Sequence, residues 1–84
     1  MRVKIFVSLK SGVLDPQGKA IERSLHTFGY NEVQDVRMGK FLELEMDAPS
    51  RENAEARIRE MCDKLLANPV IEDYRFEISL TKKD

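Results

Sequence analysis

The strongest constraint on the fold is the order in which two hydrophobic periodicities follow one another along the chain. Some segments alternate apolar and polar residues, as half-buried strands do, and two others repeat apolar residues at helical spacing. In chain order the predicted elements are a strand at 2–9, a helix at about 16–28, a short irregular strand at 33–38, a strand at 40–46, a helix at about 51–67 and a strand at about 70–80.

This βαββαβ order predicts an α+β fold of the ferredoxin-like type. Short connections and right-handed crossovers favour a two-layer sandwich, in which both helices cover one face of a four-stranded antiparallel sheet with strand order 4-1-3-2. At 84 residues the chain is expected to form a single domain, 1–84.

Capping residues mark both helix starts. Asp15 followed by Pro16 is typical of an N-cap and a first helical position. Ser50 is expected to cap the second helix, and Gly29 and Pro69 lie where the two helices should end.

One register of the first and third predicted strands brings complementary side chains together on the open face of the sheet. The pairs are Phe6 with Phe41, Lys4 with Glu43, and Arg2 with Glu45. Two adjacent exposed phenylalanines indicate either a self-paired surface in water or a contact with another subunit.

The charge balance argues against polyanionic partners, because 14 basic and 15 acidic residues leave a net charge of −1. A single cysteine fits a reducing compartment, and no apolar run is long enough to span a membrane. The N-terminus begins a strand pattern without the apolar core of a signal peptide. The chain is therefore predicted to be soluble and cytoplasmic.

The connector before the first helix superficially resembles a phosphate-binding loop. A phosphate loop has four residues between its glycines, but five separate Gly12 from Gly18, and Ala20 stands where a hydroxyl should bind a metal ion. Asp15 would repel phosphate, and Pro16 removes a backbone amide from the cradle. The connector is better interpreted as a shaped lead into the helix.

The residues that could carry catalysis are too few and too scattered for an active site. His26 is the only histidine and is expected at the surface four residues after Glu22, and Cys62 shares the apolar stripe of the second helix. We therefore predict no catalytic, cofactor-binding or metal-binding residue.

Two binding modules share this predicted topology. An RNA-binding module should carry several aromatic residues on its third strand, whereas here Phe41 is followed by Glu43 and Glu45. A small-molecule-sensing module of the ACT type is the better alternative, because 15–21 (DPQGKAI) loosely matches its loop at the first strand–helix junction.

Three blocks together resemble the small PurS subunit of phosphoribosylformylglycinamidine (FGAM) synthase. They are 12–18 (GVLDPQG), 36–40 (VRMGK) and 61–74 (MCDKLLANPVIEDY). The resemblance extends over essentially the whole chain. Ser11 departs from the proline expected after the lysine, which affects the stiffness of the loop.

The resemblance implies a non-catalytic subunit of an ATP-dependent glutamine amidotransferase complex in de novo purine biosynthesis. It implies a homodimer or tetramer that bridges the glutaminase subunit and the large synthetase subunit and assists ammonia transfer. ATP and glutamine would be used by those partners, with no cofactor bound by this chain. A stand-alone ACT-like sensing module is the alternative function.

Six residues are predicted from their positions to contact partners. Two belong to the open sheet face, two to the connector and two to the hairpin before the third predicted strand. They are Phe6, Phe41, Asp15, Gln17, Arg37 and Lys40.

Overall fold

The computed structural model describes residues 1–79, which form three strands and two helices. These are β1 (Arg2–Leu9), α1 (Pro16–Thr27), β2 (Gly39–Glu45), α2 (Arg51–Met61) and β3 (Glu72–Ser79). A π-helical turn, Cys62–Leu66, follows α2 directly, and the amide of Ala67 closes it by donating to the carbonyl of Cys62 at 2.9 Å. Leu80, predicted at the end of the last strand, and residues 81–84 lie outside the described residues.

The sheet is antiparallel, with β1 in the centre and order β2-β1-β3. The predicted register is confirmed, because Phe6 pairs with Phe41, Lys4 with Glu43, and Arg2 with Glu45. The two phenylalanine rings lie 5.1 Å apart between centroids, and the Arg2 guanidinium reaches Glu45 at 3.0 Å.

The core lies between the inner face of the sheet and α2. β1 contributes three consecutive inward side chains that are almost completely buried, as the central strand of a sheet should. The buried residues are Val3, Ile5, Val7, Ala54, Ile58, Cys62, Ala67 and Ile78. Ser50 caps α2 as predicted, accepting a hydrogen bond from the Asn53 amide at 3.1 Å.

The predicted four-stranded sheet is wrong, because the described residues form three strands and 33–38 is not one of them. This segment runs back beside α1 instead. The Val33 carbonyl lies 2.7 Å from the His26 imidazole, and the Val36 carbonyl packs against Gly18. Polar groups that would form a ladder in a sheet thus contact the helix, and the ferredoxin-like arrangement loses its fourth strand.

The prediction that both helices cover the sheet also needs correction, because Gly18 is the buried residue of α1 and the apolar side chains Ile21 and Phe28 of its stripe are exposed. Together, α1 and 33–38 form an arm beside the sheet. The Cα atoms extend over 50 × 34 × 15 Å with a radius of gyration of 16.5 Å. A compact chain of this length would have roughly 12 Å. The single chain is therefore flat and open.

Candidate functional site

The connector between β1 and α1 is organised by the buried carboxylate of Asp15. One oxygen accepts from the Gly18 amide at 2.9 Å, which caps α1 as predicted. The other accepts from the Met38 amide at 2.7 Å, so the same side chain ties the arm to the start of β2. Asp15 is only 4 % exposed, so its carboxylate holds the connector and the start of β2 together from within the protein and not at its surface.

The hydrogen bonds to Asp15 also set its charge state. The amides of Gly18 and Met38, with a smaller contribution from the Arg37 guanidinium, lower the pKa of Asp15 below its usual value and outweigh the effect of burial. The carboxylate is thus ionised at neutral pH and occupies the positive end of α1. A phosphate group would have to displace it, which agrees with the sequence argument against a nucleotide loop.

A cleft of about 180 Å³ opens beside Asp15 at the carboxyl end of β1. Gln17 and Lys40 line it, and the Lys40 ammonium donates to the Leu66 carbonyl at 2.9 Å. Arg37 lies close by, donating to the Lys10 carbonyl at 3.0 Å. The structure thus brings together the four polar residues predicted to contact partners, of which Asp15 is buried.

The other two predicted contact residues, Phe6 and Phe41, lie apart from this cleft on the open face of the sheet. Phe41 is 56 % exposed, and Phe6 lies beneath the Arg75 guanidinium, 4.0 Å from the ring centroid. Cation–π attraction of this kind favours the position of Arg75 over the ring. Sequence reasoning missed Arg75, although its position between Tyr74 and Phe76 places it on this face.

The remaining candidates for chemistry have structural roles. Burial raises the pKa of the Cys62 thiol, which keeps it protonated within the core. His26 does not form the surface pair with Glu22 that its spacing suggested, because its ring nitrogen binds the Val33 carbonyl. Residues 1–79 contain no group of three metal-ligating side chains.

The surface that sequence reasoning missed is the apolar face of α1. Ile21, Leu25 and Phe28 recur at helical spacing, as on a helix face that packs on a core, yet Phe28 is 78 % exposed and Ile21 38 % exposed. With Ala20 and Ser24 they line a shallow groove of about 290 Å³. An apolar stripe of this kind predicts burial, but nothing within residues 1–79 buries it.

The chain is a small α+β protein with an uncovered apolar helix face and an aromatic sheet face, which are surfaces typical of subunits that associate with other chains. The chain matches the family described as "PurS: Phosphoribosylformylglycinamidine (FGAM) synthase" over residues 2–80. It belongs to this family, which confirms the resemblance identified in the sequence.

Relatives from distant organisms support the same assignment. The chain is 56 % identical to subunit PurS of phosphoribosylformylglycinamidine synthase from Bacillus subtilis, over 92 % of this chain and 90 % of that one. It is 47 % identical to the PurS subunit from Synechocystis, over 90 % of this chain and 76 % of the relative. These relatives are described as PurS subunits, which gives no support to the ACT-like alternative.

Solved structures agree with the fold. A Bacillus subtilis PurS structure superposes with a TM-score of 0.82 at 56 % identity, covering 90 % of this chain and 94 % of that one. Methanocaldococcus jannaschii PurS gives 0.86 at 37 % identity, covering 96 % and 98 %. A chain from the PurLQS structure of Thermotoga maritima gives 0.83 at 37 % identity, covering 90 % and 93 %.

Within residues 1–79, no helix has both the length and the apolar character needed to cross a bilayer.

Proposed function

We propose that this chain is the non-catalytic assembly subunit of FGAM synthase. It bridges the glutaminase and the ATP-dependent synthetase, so that ammonia released from glutamine reaches the synthetase without escaping to bulk water. The observation that carries the proposal is 56 % identity to a named PurS subunit over nine-tenths of both chains. The match to a chain of PurLQS supports the bridging role. ATP and glutamine are bound by the partners, and the complex works in the cytoplasm.

Reconstitution tests this role. The synthetase and glutaminase subunits are mixed with and without the chain, and FGAM formation is measured with either glutamine or free ammonium as the nitrogen source. We expect omission to abolish most of the glutamine-dependent rate and to leave more of the ammonium-dependent rate. An unchanged glutamine-dependent rate without the chain would overturn the proposal.

Within this complex we propose that the chain is a homodimer in which α1 of each copy covers the sheet of the other. Two deficits in the single chain are complementary. The apolar face of α1 does not pack against a sheet. The inner face of the sheet is only partly covered at β2, where Leu42 and Leu44 are half-buried. Exchange of an identical element between two copies would satisfy both deficits.

Charge placed on α1 tests the dimer. Phe28→Glu puts a carboxylate where the proposal buries an aromatic ring, so we expect the sedimenting mass of the isolated chain to halve at micromolar concentration. Arg23→Glu is the matched control, because Arg23 is an exposed residue of the same helix outside the apolar groove. A Phe28→Glu variant with the unaltered mass would exclude this face from the dimer.

A further inference from the structure

The two most exposed large apolar side chains of residues 1–79 are Leu65 and Val70, which are 81 % and 80 % exposed. They lie at the ends of one short segment, 65–70, whose residues Leu66 and Ala67 pack on the core. Single exposed apolar residues are common on protein surfaces, but here two of them belong to one segment that the core holds in place. This segment is therefore a candidate contact surface.

The π-helical turn after α2 explains why Leu65 is exposed. Seven residues make almost two turns of an α-helix, so an uninterrupted helix would place Leu65 above Ile58 in the buried stripe. In the π-helical turn the Ala67 amide donates five positions back, to the Cys62 carbonyl, so the turn takes up one extra residue. Leu66 therefore packs on the core, and Leu65 points to solvent. Single turns of π-helix are frequent at functional sites.

Val70 belongs to a turn that hydrogen bonds hold in one shape. The Asn68 carbonyl accepts from the Ile71 amide at 3.0 Å and from the Glu72 amide at 2.7 Å. The Asn68 side chain accepts from the Val70 amide at 3.1 Å, and Pro69 restricts the backbone between them. Turns favour Gly, Asn, Asp and Ser, so turn formation does not account for a valine at this position.

Both ends of the segment are also tied to the sheet. The Lys40 ammonium of β2 donates to the Leu66 carbonyl at 2.9 Å. At the other end, the Lys10 amide donates to the Ile71 carbonyl at 2.8 Å, next to the end of β1. A segment that is ordered before binding loses little conformational entropy when a partner covers it.

We infer that 65–70 binds an apolar pocket on a catalytic subunit of the synthase, into which Leu65 and Val70 insert. The inference rests on the assembly role proposed above and names the surface that would serve it. Aliphatic side chains that protrude from a rigid segment gain most when a pocket removes them from water. The pocket is expected to be lined by aliphatic or aromatic side chains.

A second copy of the chain is a poorer occupant than a catalytic subunit. Two side chains cover far less than the roughly 800 Å² per partner that a stable protein–protein interface buries, so they do not make a dimer interface by themselves. The apolar groove of α1 is buried in the dimer proposed above, so a second copy does not offer that groove to them. Another subunit can instead surround them within a wider contact.

Binding to the separate catalytic subunits tests the inference. The synthetase and the glutaminase are immobilised in turn, and the dissociation constant of the chain is measured on each. Val70→Asp keeps a residue suited to the turn but takes a charge into the pocket, so we expect binding to one subunit to weaken by about tenfold or more. Leu65→Gln keeps a helix-forming residue and is expected to weaken binding to the same subunit.

Two control variants separate the apolar contact from other effects. Val70→Ile keeps a branched aliphatic side chain and is expected to retain most of the affinity. Asn31→Asp adds the same charge to the exposed turn after α1 and is expected to leave the affinity unaltered. The sedimenting mass and the circular dichroism of all four variants are expected to match those of the unaltered chain.

Three results would count against the inference. Unaltered affinity of Val70→Asp for both subunits would overturn it. So would a sedimenting mass that falls by half in Val70→Asp, because a second copy would then be the occupant. If the unaltered chain bound neither subunit, the assembly role itself would fail and this inference with it, which distinguishes that failure from the other two.

Discussion

At the scale of single residues, Asp15 shows how one side chain can join two parts of the chain. Its role as an N-cap follows from its place before Pro16. Its second contact, with the amide of Met38, joins residues 23 positions apart and leaves no local pattern in the sequence. A sequence therefore predicts which carboxylate caps a helix more readily than which distant amide shares it.

The lowered pKa of Asp15 predicts an acid-dependent loss of stability. A carboxyl whose folded pKa lies below its unfolded value, near 3.8, stabilises the protein fully above that value. This contribution is lost as the pH falls through the folded pKa. Asp15→Asn removes the charge, so we expect a clearly lower urea midpoint than in the unaltered chain at pH 7, and a difference that shrinks in acid as the pH falls below 3.8 and through the folded pKa.

The control for this experiment is Asp47→Asn, which neutralises an exposed carboxylate. It is expected to shift the urea midpoint little at either pH. A difference between Asp15→Asn and the unaltered chain that persists undiminished in acid would show that the Asp15 charge does not contribute in this way.

At the scale of elements, the sequence predicted the pairing of strands better than their number. Complementary charges and rings placed β1 and β2 in the correct register, because a slip of one residue would reverse the faces. The apolar residues of 33–38 gave no such constraint, since Val33 and Val36 differ in parity. Periodicity can indicate that a segment is extended. It does not say whether the backbone polar groups of that segment contact a neighbouring strand or a helix.

The close contact between Gly18 and the Val36 carbonyl predicts that replacing this glycine by alanine destabilises the protein. Replacing a helical glycine by alanine normally stabilises a helix. Here the added Cβ would overlap the carbonyl oxygen and push the arm away from α1. We expect Gly18→Ala to lower the free energy of unfolding by about 1–3 kcal/mol, as overpacking does, measured by urea denaturation.

Arg23→Ala is the matched change, because Arg23 is an exposed residue of the same helix outside the apolar groove. Its expected effect is a slight stabilisation of about 0.5 kcal/mol or less, from helix propensity. If Gly18→Ala behaved in the same way, the close approach of Val36 would not constrain the arm.

At the scale of the whole molecule, the sequence identified the apolar surfaces but not what covers them. Ala54, Ile58 and Cys62 of the predicted second helix fill the core, whereas the apolar face of α1 is exposed. Hydrophobic spacing is the same whether a face is buried within a chain or between chains. The family could still be identified, because its match over residues 2–80 depends on the sequence and not on what covers these surfaces.

The uncovered face of α1 has a consequence for the life of the protein in a cell. When burial of this face requires a second chain, the law of mass action links folding to protein concentration. If that second chain is another copy, as proposed above, the chain spends more time unfolded when it is scarce, and proteases then degrade it faster. Its lifetime is therefore expected to lengthen as its own concentration rises.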